Sequence, residues 1–157
     1  MAFYLAELNI ARLRHPLDHP QISEFVAGLD TINQLAEQSA GFVWRFQTES
    51  GNATDAEHPW SADPFIIVNM SVWQTPDHLK DFVYRSRHLD FYQKRADWFE
   101  KLPEAHYVLW WIPAGHIPSV AEAKERLEHY RLHGPTADAF WFGKLFPAPS
   151  AATAQAR

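Results

Sequence analysis

FYLAELNIAR, residues 3–12, reads as a strand: Tyr4, Ala6, Leu8 and Ile10 make an apolar face, while Phe3, Leu5, Glu7 and Asn9 make a mixed one. Successive side chains of a strand point to opposite faces, so this segment faces two different environments. The reading continues outward from it. After Pro16 and Pro20, residues 21–38 place Ile22, Phe25, Val26, Leu29, Ile32 and Leu35 at helical spacing, and Gly41 follows as a stop signal. FVWRFQT at 42–48 reads as a second strand, and the Gly, Asn, Asp and Pro residues of 50–64 as a loop long enough to act as a pocket lid. FIIVNMSVW at 65–73 is a third strand. Thr75 then caps a helix that has Pro76 at its first position and Asp77 in its first turn. AHYVLWWI at 105–112 is a fourth strand, and Ser119 with Glu122 opens a helix over 119–132 at capping-box spacing. AFWFGKLF at 139–146 is expected to add a short final strand.

The resulting order, β, α, β, β, α, β, α and a short β, is the split βαβ pattern of a ferredoxin-like antiparallel sheet in an α+β fold. Helices are expected on one face of that sheet, with the other face left open. Trp44, Trp73, Trp110 and Trp111 on an open face would form a large apolar patch in water, and such patches mark interaction surfaces. A homodimer closing two sheets into a barrel is the economical solution. Residues 1–146 form a single domain in this reading. The tail at 147–157, rich in Ala, Pro, Ser and Thr, is expected to be disordered.

Composition narrows the function. The chain of 157 residues carries a net charge of −5, which argues against a polyanion binder with a clustered basic face. No nucleic-acid partner is expected. Zero Cys excludes disulfides, thiolate metal sites and a cysteine nucleophile, and it suits a cytoplasmic protein. No stretch approaches the ~18 apolar residues of a membrane helix, and the N-terminus has no signal-peptide pattern. Seven Trp, eleven Phe and five Tyr are many for one domain, and aromatics are favoured in ligand pockets and interfaces as well as in cores.

The aromatics concentrate in YRSRHLDFYQKRADWFEKL, residues 84–102. Read as one helix at ~100° per residue, this run gathers Tyr84, Phe91, Tyr92, Trp98 and Phe99 on one face around His88 and Arg95. An imidazole and a guanidinium inside an aromatic stripe suggest a pocket wall, because an unpartnered polar group is costly to bury. The plainer alternatives are an Arg snorkelling along aromatic rings and a His satisfied within the core. His88 could ligate haem iron or shuttle protons near neutral pH, or hydrogen-bond between helix and sheet. Arg95, Arg45 and Asn9 could converge on a carbonyl or carboxylate, although Arg45 could instead pair with Glu7 across the sheet. His15 and His19 lie on a proline-flanked turn without an evident third metal ligand, and His129 and His133 suit a helix C-terminus.

LNIARLRHPLDHP, SAGFVWRFQ, SVWQTPDHLKDFVYRSRHLDFYQKRADWFEKL and VLWWIPAGHIPSVAEAKERLEHYRLHGPTADAFWF together resemble the bacterial family known as domain of unknown function 3291, to about residue 142. That family is similar to the dimeric α+β barrel proteins, which include antibiotic-biosynthesis monooxygenases and haem-binding members. The resemblance implies the barrel fold and a helix-borne His as a haem ligand, with His88 the matching residue. It also implies Asn and Trp residues beside an oxidisable substrate, for which Asn9, Asn69, Trp44 and Trp73 are available. The expected protein is a monooxygenase-like oxidoreductase acting on a small apolar or aromatic molecule, with haem or no cofactor. Its catalytic candidates are His88, Arg95 and Asn9. Trp44, Arg45, Trp73, Tyr84, Phe91, Tyr92 and Trp98 are expected to bind substrate. The alternative is a non-catalytic dimeric barrel that holds an apolar ligand or haem.

Overall fold

The computed structural model describes residues 2–48, 50–54 and 60–150. Its elements are β1 (Phe3–Leu13), α1 (Ser23–Gln38), β2 (Phe42–Arg45), β3 (Ile66–Trp73), α2 (Pro76–Arg85), α3 (His88–Gln93), α4 (Arg95–Trp98), β4 (Phe99–Glu100), β5 (Tyr107–Pro113) and α5 (Val120–His133). A short 3-10 turn, Pro20–Ile22, precedes α1. β1 is the centre of the sheet. It pairs antiparallel with β3 on one side, and with β5 and then β4 on the other, while β2 lies outside β3. The sheet is therefore the ferredoxin-like arrangement that the element order implies.

Alternation along the strands assigns the two faces. Ala6, Leu8 and Ile10 join Val68, Met70, Val72, Val108, Trp110 and Ile112 in one buried cluster. Leu5 joins Trp73 and Leu109 in another, packed against Ala36 of α1 and Leu79 and Phe82 of α2. The helices expected on one face thus divide. α1 and α2 cover the Leu5 face, whereas α5 lays Ala123 and Leu127 into the Leu8 cluster on the opposite face. Trp110 is fully buried there and donates its indole N–H to Glu122 of α5 at 3.2 Å. Trp60, 8% exposed, packs into the same cluster, and its carbonyl accepts a hydrogen bond from Lys124 of α5. The 60–64 end of the loop therefore caps the Leu8 face, whereas at the 50–54 end Asn52 bonds to Asn33 and Asp30 of α1, and residues 55–59 lie outside the described residues.

The four tryptophans expected together on an open face are split by the two-residue period of a strand. Trp44 and Trp110 point to the α5 side, Trp73 and Trp111 to the α1–α2 side. Most of the apolar surface that motivated a dimeric closure is covered within one chain.

The run at 84–102 is not one helix. α2 ends at Arg85, where the Ser86 hydroxyl donates back to the Phe82 carbonyl and accepts from the His88 amide. A serine offers the backbone such alternatives to a continued helix. Lys94, at φ −90° and ψ 0°, separates α3 from α4, and the chain then extends into β4 against Arg12 and Leu13. Trp98 and Phe91 pack with Leu13, Ile22 and Phe25 in a third cluster. Gly28 permits this closure: a Cβ there would lie 1.7 Å from the Phe91 ring. Gly41, the stop signal after α1, has φ +80°, a conformation open to glycine at little cost.

The expected final strand is instead a set of isolated bridges, Ala139 with Thr136, Phe140 with Leu109 and Trp141 with Lys144. Phe140 exchanges two backbone hydrogen bonds with Leu109, and Phe146 packs behind it with its carbonyl accepting from the Trp111 indole at 2.9 Å. Residues 151–157 of the expected tail lie outside the described residues. Among the described residues no helix is long and apolar enough to cross a membrane.

Candidate functional site

The α1–α2 face of the sheet is apolar at both ends and polar in the middle. At one end Leu5, Trp73 and Leu109 form their cluster, and at the other Leu13, Phe65, Ile67 and Phe99 pack in theirs. Between them run two cross-strand rows. In the first, Glu7 pairs with Ser71, and Ser71 with Arg45. In the second, Asn9 lies between Asn69 and Tyr107. Directly paired residues of an antiparallel sheet share a face with Cβ atoms roughly 5 Å apart, so these six side chains form a polar stripe beneath the helices. Solvent reaches it: Glu7, Asn9 and Tyr107 are half-buried and Asn69 is exposed.

Glu7 is the chemically unusual member. Its carboxylate accepts one long hydrogen bond, 3.3 Å, from the Ser71 hydroxyl, which itself accepts the Trp73 indole N–H at 2.9 Å. Desolvation by the surrounding protein pushes its pKa from 4.5 up to about 8, with the Ser71 bond pulling weakly the other way. The cation that could have held it down is engaged elsewhere. Arg45 pairs with Glu37 of α1 at 2.8 Å rather than with Glu7 across the sheet. Beside Asn9, burial pushes the Tyr107 phenol up to about 12, and its oxygen accepts the Phe142 amide at 3.1 Å.

The sequence-expected site residues separate in space. Asn9 is in the stripe and Arg45 at its rim. Trp44 is on the opposite face, partly buried against the α5 cluster. Trp73 and Trp98 are core residues, 1% and 2% exposed. Phe91 fills the third cluster. Tyr84, 41% exposed, meets Tyr92 edge-on at 5.7 Å, and with Phe142 forms an aromatic line leading to Tyr107.

His88 and Arg95 part company because the helix breaks between them. The His88 ring packs on Phe82 at 4.8 Å, and its Nδ1 meets the Val83 carbonyl at 3.2 Å. Burial lowers its pKa against the opposing pull of that carbonyl, so the neutral imidazole is favoured. Arg95 is exposed; its guanidinium lies 3.8 Å over the Tyr92 ring and donates to the Tyr92 carbonyl. His15 and His19 stack on each other at 3.9 Å, and among the described residues no group of three or more His, Asp or Glu could hold a metal ion.

Glu7, Ser71 and Tyr107 were missed as site residues. The available signal was the pair Glu7 and Asn9 two apart on one face of the central strand, where an unpaired carboxyl is costly.

A ferredoxin-like α+β domain with a polar stripe under its helices defines the class of this protein. The chain belongs to the family described as domain of unknown function (DUF3291), whose model matches residues 4–156. Among solved structures it is similar to Rv0793 from Mycobacterium tuberculosis, at 15% identity and TM-score 0.48, covering 74% of this chain and 99% of that one. It is also similar to the NE2512 protein of unknown function from Nitrosomonas europaea, at 11% identity and TM-score 0.47, covering 74% and 96%. A third structure, from Nitrosomonas europaea and named provisionally as an antibiotic biosynthesis monooxygenase, is similar at 13% identity and TM-score 0.44, covering 74% and 93%. No curated protein matches the chain.

Proposed function

We propose that this protein is a monooxygenase-like oxidoreductase that binds a small aromatic molecule over the stripe of Glu7, Asn9, Asn69, Ser71 and Tyr107. The observation that carries the reading is the placement of the stripe: solvent-accessible polar groups on a helix-covered sheet face, bounded by apolar clusters at both ends. A few convergent polar groups on an apolar bed describe a ligand site. An aromatic ring would lie on the apolar bed, and Asn9 and Asn69 could hold its oxygen substituent by their amides. The reaction replaces two hydrogens on a ring carbon by one oxygen atom of O2, and the second oxygen leaves with both hydrogens as water. Oxygen-electrode assays with anthrones, whose central ring carries such a CH2 group, test it. One O2 consumed per oxygenated product, abolished in Asn9→Ala, is expected; no uptake with any of them overturns the reading.

A second reading has haem as the cofactor, held by His88. It is favoured by one detail: Nδ1 is turned to the Val83 carbonyl, which fixes the ring orientation and leaves Nε2 as the nitrogen for a ligand. Haem, when bound, would supply one-electron and oxygen chemistry. Titration with haem reads this directly, because a Soret band present in the wild type and lost in His88→Ala would establish it. Under the first reading His88→Ala leaves the binding of aromatic compounds intact and costs about 1–3 kcal/mol of stability, the range for leaving a buried partner unsatisfied, measured by urea unfolding.

The working assembly in this proposal is a homodimer joined along β2, where Val43 is 39% exposed and Trp44 and Phe46 are only partly buried. Light scattering is expected to give twice the 18.1 kDa of one chain, and Trp44→Glu to shift the mass toward the monomer. A single-chain mass for the wild type at micromolar concentration overturns the assembly.

A further inference from the structure

We infer that Glu7 is the proton acceptor of the polar stripe and that the ligand carries an ionisable hydroxyl on an apolar ring, as a phenol or an enol does. This rests on the stripe being a ligand site and adds to it the class of ligand and the group that activates it. The geometry is the ground for it. Glu7 sits at the centre of the middle strand, between Ser71 on β3 and Leu109 on β5, with one weak hydrogen bond and, among the described residues, no cation paired to it. A carboxyl so placed has spare acceptor capacity facing the stripe, whereas Glu37 and Glu24 of α1 are committed to Arg45 and Lys94.

The titratable groups around it leave its proton affinity high. On β5, Tyr107 stays neutral across the working range, its phenol pushed up to about 12. On the α2–α3 side, His88 is turned to the Val83 carbonyl and Tyr84 toward Tyr92. A base whose pKa approaches that of its partner transfers a proton less uphill than an ordinary carboxylate would, and Glu7, raised to about 8, is closer to a phenol at about 10. In the step itself the ligand O–H bond breaks and an O–H bond forms on the Glu7 carboxylate. The electron pair stays on the ligand oxygen as a phenolate or enolate, which the Asn9 and Asn69 amides can face with N–H donors. Ser71 acts as a positioning residue, since its hydroxyl links Glu7 to the fixed Trp73 indole.

The test uses 4-methylphenol and its methyl ether, 4-methylanisole, which share a shape but not the proton. With the intact chain, a complex holding one proton between Glu7 and the phenol binds best between about 8 and about 10, the two pKa values that bound it. The expected result is a bell-shaped affinity for 4-methylphenol over that window, about a hundredfold above its value at pH 6, one decade for each pH unit below the lower pKa of about 8. The anisole should bind independently of pH. Glu7→Gln should flatten the phenol profile and leave the anisole unchanged. A measurement free of any variant accompanies it: in wild-type protein labelled with carboxyl carbon-13 glutamate, one resonance should titrate near 8 and move on adding the phenol but not the anisole. Equal, pH-independent binding of both compounds overturns the role of Glu7 while the ligand site stands. Failure of both compounds to bind, with no resonance perturbed, overturns the ligand site and the inference together.

Discussion

Glu7→Gln is expected to leave the thermal midpoint nearly unchanged at pH 5 and to raise it by about 4–8 °C at pH 9, taking ~2 kcal/mol and 2–4 °C per kcal/mol for a chain of this size. The sign follows from proton binding. Between 4.5 and about 8 the unfolded chain has released the Glu7 proton and the folded protein has kept it. Folding then takes up a proton, so stability falls as the pH rises through this window and levels off above it, where both states are ionised. Each pH unit of the window is worth about 1.4 kcal/mol, and the remaining contact of Glu7 with solvent reduces the total to the ~2 kcal/mol used here. Glutamine keeps the shape and can accept the Ser71 bond, but it never ionises. Thermal unfolding of both proteins at the two pH values decides the matter, and an equal difference at pH 5 and pH 9 would show that Glu7 has an ordinary pKa.

The second large effect is at the other face. Trp110→Ala should lower stability by about 3–5 kcal/mol, the cost of truncating a large buried aromatic. The indole is fully buried among Ala6, Leu8, Val108, Ala123 and Leu127, and its N–H holds Glu122 on α5. The same substitution at Trp111, partly exposed on the opposite face, should cost clearly less. Urea unfolding of the two variants compares them directly. Equal losses would mean that α5 is not seated on the sheet as described, and the face it covers would again be available to a second chain.

Both predictions bear on a domain whose outline is written locally and whose site is not. The strands at 3–12, 65–73 and 105–112 and the helices at 21–38 and 119–132 are legible because period 2 and period 3.6 are properties of consecutive residues. The caps at Thr75 and Ser119, which accept the His78 and Glu122 amides, and the stop at Gly41 are likewise settled by residues within a few positions of one another. The family resemblance, carried by long runs of sequence, agrees with the family model over residues 4–156.

Where local spacing misled, a contact across the chain intervened. The aromatic run at 84–102 has helical spacing throughout, yet Ser86 turns its hydroxyl to the backbone and the chain after Trp98 pairs with Arg12 and Leu13. His88 and Arg95 therefore lost the common face that a continuous helix would have given them. Trp44 and Trp73 looked equivalent as substrate contacts, and the register of β2 on β3 sends them to opposite sides of the sheet. The sequence by itself determined the strands at 3–12, 65–73 and 105–112, the helices at 21–38 and 119–132, their order and the mixed character of the central strand's second face. Tertiary structure alone decided which residues share the space above that face. Glu7, Asn9, Ser71, Asn69 and Tyr107 come from three strands up to a hundred residues apart, and only cross-strand register brings their side chains into one stripe, in which Arg45 beside Ser71 turns to Glu37 and not to the Glu7 carboxyl.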